Sequence, residues 1–144
     1  MHIKNGLTAG FVGAAVLAVI FVIKAMMGIT PQLDIIVMLS AMMGAPLVMG
    51  WVVHFVIGTF LWGVLFAVAN GLIPGSTQTI KGIVLGLFAW LLMMIAVMPM
   101  AGAGLFGLNF GLIGLLMPLA LHVVFGAVLG FVAAFLEQGA PRPA

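Results

Sequence analysis

The sequence predicts an all-α membrane protein, a bundle of four transmembrane helices built from two duplicated helical hairpins, with short interfacial segments on the outer side. Three observations carry this. Of 144 residues, 66% are hydrophobic and only 4% charged, where a soluble domain carries roughly a quarter charged residues, so lipid must cover most of the outside. Four apolar stretches each reach the length of about 20 residues that a helix needs to cross a hydrocarbon layer about 30 Å thick. Two patterns also recur in order. Ile3-Lys4 with Gly6-xxx-Gly10 matches Ile80-Lys81 with Gly82-xxx-Gly86, and His54-Phe-Val-Ile-Gly58 matches His122-Val-Val-Phe-Gly126.

The spans fall at about 6–27, 46–70, 81–99 and 113–136 of a single integral membrane domain, with a tail at 137–144. Their runs are continuously apolar and lack the polar-in alternation of a membrane barrel, which excludes strands. The first run follows the N-terminus without an A-x-A cleavage pattern and is expected to stay as a helix. Between the first two spans, Thr30 and Pro31 read as an N-cap and a first-turn proline, opening a short interfacial or re-entrant helix with Asp34 near its start. The segment 101–114 is its glycine-rich counterpart, and 71–79, with Pro74, Gly75 and Ser76, is a plain polar turn. The tail, with Pro141 and Pro143, reads as a disordered end. Each repeat unit holds two spans, so the two halves are parallel copies about an axis along the membrane normal.

Charge sets the expected orientation. Lys4, Lys81 and Arg142 fall on one side, while Lys24 and Asp34 cancel on the other, so both termini are expected in the cytoplasm by the positive-inside rule. Lys24, near the outer end of its span, is expected to extend its stem to the headgroups. Asp34 complements a helix dipole. With no basic patch there is no nucleic-acid footprint, and with no cysteine there is no thiolate site or disulfide.

The residues with chemical potential are few. His54 and His122 are ionisable groups within spans, which by default mark a functional site. They stand on helices that run the same way and at similar depth, and in an up-down bundle they would face each other across the core. That arrangement suits bis-histidine ligation of haem b or another tetrapyrrole, with Gly50, Gly58 and Gly126 leaving room for a flat macrocycle. Against this stands a structural role, each imidazole bonding a backbone carbonyl or a hydroxyl on a facing helix. Eleven methionines cluster in the outer half. Thioethers suit Cu(I), and Met38-xxx-Met42 and Met94-xxx-Met98 each place a pair on one helix face, so His54, His122, Met94 and Met98 form a candidate copper set, although methionine is also a flexible core filler. Gly6, Gly10, Gly82, Gly86, Gly126 and Gly130 are expected to permit close helix packing. No nucleophile with a base, no phosphate loop and no zinc-protease motif appears, so an enzyme is not expected.

Trp51-Val-Val-His54-Phe-Val-Ile-Gly58, the run from Trp90 through Met93, Met94 and Met98 to Gly107, and His122-Val-Val-Phe-Gly126 resemble a family of small uncharacterised bacterial inner-membrane proteins. The resemblance implies a four-span protein of the bacterial inner membrane and supplies no activity. Three functional readings follow in order. The first is a non-catalytic accessory or assembly subunit, with membrane lipid and other membrane subunits or a second copy as partners. The second is a carrier of haem, another tetrapyrrole or copper on His54 and His122. The third is a small transporter or channel, weakened by the lack of any carboxylate in the spans before Glu137.

Overall fold

A computed structural model describes residues 1–138; of the expected tail, residues 139–144, with Arg142 and its two prolines, lie outside the described residues. The described residues form helices and connections without a strand. Four helices are long and apolar enough to cross a membrane: α1 (Ile3–Met26), α3 (Leu47–Ala69), α4 (Gln78–Met100) and α5 (Leu112–Gln138). The short helix α2 (Ile35–Met42) lies between α1 and α3. Glu137, expected in the tail, belongs to α5.

Neighbouring spans run antiparallel. The α1 helix packs on both α3 and α5, and α4 packs on α5. Beyond those contacts, α3 meets α4 through Trp62 and Phe88, whose rings stand edge-on with centroids 6.4 Å apart. Leu17, Phe21, Phe66, Phe125 and Leu129 fill the core.

Both hairpins close on glycine. A Cβ on Gly6 would strike the Gly63 carbonyl and one on Gly10 that of Gly58; likewise Gly82 lies on the Gly126 carbonyl, Gly86 on that of His122 and Gly130 on that of Gln78. The six glycines read as packing residues thus all lie within the hairpins, where small side chains let backbones meet and dispersion can act at close range.

One detail of α3 explains an irregular spacing. Gly58 and Gly63 are five residues apart, which in a regular α-helix points them about 140° apart. The segment Ile57–Trp62 is a π-helical turn, whose i→i+5 bonding stacks residues five apart, so both glycines reach α1. On α5 the corresponding Gly126 and Gly130 are four apart in plain α-helix. Deleting Phe60, whose side chain faces outward, is therefore expected to turn the π-turn into α-helix, keep the seam and change stability by less than about 1 kcal/mol. Deleting Ala127 from α5 should instead rotate one half of the helix by about 100° against the other and unfold the hairpin. Thermal unfolding in detergent tests this, and equal losses from both deletions would refute it.

At the end opposite Lys4 and Lys81, the connection differs from its expected form. Thr30 and Pro31 do stand at the N-cap and first-turn positions, but only of a 3-10 turn, Pro31–Leu33; Thr30 sits in the left-handed region at φ 45° and its side chain makes no capping hydrogen bond. Helix α2 starts later and is capped by Asp34, whose carboxylate accepts from Ile36 N at 3.0 Å and Val37 N at 3.2 Å. The capping role passes from Thr30 to Asp34 because a carboxylate satisfies two of the free amides and complements the helix dipole. Helix α2 then lies on α3, with the Ile36 carbonyl seated on Gly50.

Candidate functional site

His54 is held by α1. Its Nε2 lies 2.9 Å from the Ala14 carbonyl oxygen, and because a carbonyl only accepts, Nε2–H donates. Phe21, Trp51 and Phe55 stand edge-on around the ring, with centroids at 5.4, 6.2 and 5.3 Å. The bond joins two spans, as expected for a histidine that holds a bundle together.

His122 is arranged differently. Its Nδ1 lies 2.8 Å from the carbonyl oxygen of Pro118, one turn back on its own helix, so Nδ1–H donates there. The ring borders a cavity of about 50 Å³, whose walls include Phe21, Met38, Met93, Met98 and Met117.

The two histidines are not brought face to face across the core. Phe21 of α1 touches the His54 ring and also walls the His122 cavity, and His54 does not reach that cavity. Nor do the neighbouring glycines leave room for a macrocycle: Gly50 is covered by the Ile36 carbonyl, Gly58 by Ala14, and Gly126 by the Gly82 carbonyl and Ile83. These glycines admit neighbouring backbone where a tetrapyrrole would have needed free space. The residues present do not fit a haem held between His54 and His122.

The copper set of His54, His122, Met94 and Met98 is also divided. Met98 and His122 share the cavity, whereas Met94 is buried in a cluster with Met98 and Ala103 and does not wall it. Sequence reasoning chose Met94 because it stands four residues before Met98. The α4 helix, however, contains a second π-turn, Met93–Val97, and Met93 takes the place expected for Met94. Among the described residues no three His, Cys, Asp or Glu side chains gather as a metal site.

Lys24, expected to reach outward along its stem, instead turns its ammonium onto the connection that follows α1. It is buried, at 9% exposure, and its Nζ donates to the carbonyls of Ile29 at 3.1 Å, Thr30 at 3.1 Å and Leu33 at 3.2 Å, with the Thr30 hydroxyl at 3.4 Å. The ammonium thus ties the strained Thr30 turn to the end of α1. The Thr30 hydroxyl in turn donates to Met117 Sδ at 3.1 Å.

Sequence reasoning missed a polar cluster at the opposite end. Asn70 and Gln78 exchange side-chain hydrogen bonds of 2.7 and 3.1 Å, Gln78 also donates to Glu137 at 2.9 Å, and Lys81 Nζ donates to the Asn70 carbonyl at 2.8 Å. The cluster fastens α4 to the ends of α3 and α5. Its signal was present, since Asn70, Gln78 and Glu137 stand at the same end of three spans, but they were read separately, as the end of a span, part of a turn and the start of the tail.

The match to a known family covers nearly the whole chain: the family of unknown function DUF6789 matches residues 1–143. The chain belongs to that family. No curated protein and no solved structure matches it.

Proposed function

We propose that this member of DUF6789 is a non-catalytic subunit of the bacterial inner membrane that works by packing against a larger membrane assembly. The observation that carries the reading is where the polar groups of the spans are directed. Lys24 and His54 donate to backbone carbonyls of this chain, and Asn70, Gln78, Lys81 and Glu137 bond one another at one end. These groups stabilise the bundle and are not poised around a substrate; among the described residues no nucleophile is paired with a base, as a self-sufficient catalyst would require. Both termini are cytoplasmic in this reading, because Lys4 and Lys81 lie at one end. The two hairpins are copies of one unit, a view supported by their matching glycine seams.

The partner surface is assigned to α3. Only 22% of its most apolar window is buried, against 39% for α1, and Val48, Val52, Val56 and Phe60 form an outward stripe at four-residue spacing. Photo-crosslinkers at Val52 and Val56 in native membranes should capture a larger membrane protein, while one at the outward Phe131 of α5 should not. Adducts with lipid alone would refute the accessory reading. A product of twice the chain's mass would assign the stripe to a second copy and replace that reading.

A second reading, carriage of a soft metal ion, is favoured by the His122 cavity. Haem carriage has no such support, and transport would need a polar route that this cavity lacks.

A further inference from the structure

The π-turn of α4 has a chemical consequence. Met93 and Met98 are five residues apart and in a regular helix would point about 140° from each other. Through the turn at Met93–Val97, both wall one cavity. Such turns occur often at functional sites. Met38 approaches the same space from α2, and His122 from α5.

The imidazole is in the right state to act as a ligand. Its Nδ1–H is committed to the Pro118 carbonyl, which leaves the lone pair of the neutral ring on Nε2. A backbone carbonyl holding the far nitrogen in this way is the usual support of a metal-binding histidine. No hydrogen bond from the described residues reaches Nε2, and His122 is the only residue of the cavity wall with a polar side chain. Water would be poorly held there, since a buried water needs two to four polar partners.

The donor set also selects the kind of ion. Thioethers and a neutral imidazole offer soft, uncharged ligands, which suit Cu(I); magnesium, calcium and manganese call for carboxylates and other oxygen donors, and no residue of the cavity wall carries a side-chain oxygen. Met117 is left out of the set, because its sulfur accepts from Thr30, whose hydroxyl lies beside the Lys24 ammonium. The charge of that ammonium is met by three carbonyls on its own side.

We propose that one soft monovalent metal ion, Cu(I) in the cell, binds in this cavity on the sulfurs of Met38, Met93 and Met98 and on Nε2 of His122. The site gives the second reading its ion and its ligands, and does not depend on the packing role.

The test uses the full chain in detergent micelles, freed of metal and titrated anaerobically with Cu(I) against a chromophoric Cu(I) chelator, with Ag(I) as a redox-inert probe. One ion per chain is expected, with sulfur and nitrogen ligands in the X-ray absorption spectrum. The double variant Met93→Leu/Met98→Leu keeps the packing, since exchanges of methionine for leucine conserve volume and are tolerated best in a core. It should weaken binding roughly 10- to 100-fold, the range seen when even the supports of a metal ligand are lost. His122→Ala should remove the nitrogen signal, and Met94→Leu, altering a neighbour outside the cavity wall, should leave the affinity unchanged. The proposal is overturned if Cu(I) uptake does not exceed that of empty micelles, if the double variant binds as tightly as the parent, or if His2→Ala abolishes uptake, which would place the ion at the amino terminus.

Discussion

Substitution of Gly82 by leucine is expected to separate α4 from α5 and abolish the stable fold. A Cβ at this position would collide with the Gly126 carbonyl and lie 2.7 Å from Gly130 N and 2.9 Å from its Cα. All three obstacles are backbone, so no rotamer change can relieve the clash and the helices must move apart. Overpacking in a dense core typically destabilises by about 1–3 kcal/mol and occasionally by more; with only backbone to displace, a loss above about 3 kcal/mol is expected. Gly71 provides the control, since nothing lies within 4 Å of a Cβ built there; Gly71→Ala should stay within about 0.5 kcal/mol of the parent. Unfolding by heat or by SDS, followed by circular dichroism, distinguishes the two. Equal midpoints for Gly82→Leu and Gly71→Ala would show that the seam contributes little.

The second large effect is expected at Lys24. Replacing it with methionine keeps much of the stem but removes the ammonium from the carbonyls of Ile29, Thr30 and Leu33. The bond to Leu33 is buried, and an unsatisfied buried acceptor carries a penalty of about 1–3 kcal/mol. The left-handed Thr30 turn loses its restraint at the same time, and such conformations persist only where the surroundings enforce them. The connection between α1 and α2 should therefore open locally while the four spans stay folded. Hydrogen exchange should rise roughly a hundredfold at the amides that follow Thr30, corresponding to about 3 kcal/mol of lost protection, with α4 and α5 unchanged. An unaltered exchange pattern would show that water or lipid replaces the ammonium without loss.

The sequence made different parts of the structure legible to different degrees, for physical reasons. Span number is a solvation property: a helix in lipid satisfies its own backbone, so length and hydropathy suffice to find it. The glycine seams were legible because close approach demands the absence of a side chain, a requirement visible residue by residue. The cap of α2 was misplaced because Thr30 and Asp34 both suit that role, and only the path of the chain decides between them. Lys24 was read through its long stem and misassigned, since nothing in the local sequence shows that the following turn folds back over its ammonium. The cavity was partly legible: His122 and Met98 were singled out, and Met38 was read as one of a methionine pair suited to copper, but Met93 was not.

The sequence alone was sufficient to determine the apolar character of this protein's exterior, the number of helices long enough to cross a membrane and the faces on which its hairpins close, because these depend on composition and on which residues are small. Tertiary structure alone decided which of the buried polar groups meet. The α1 helix sits against both α3 and α5, so His54 is bound to α1 while His122 borders a separate chamber. A π-turn shifts helical phase by a fraction of a turn without leaving a plain mark in the sequence, and in α4 that shift turned Met93 toward His122.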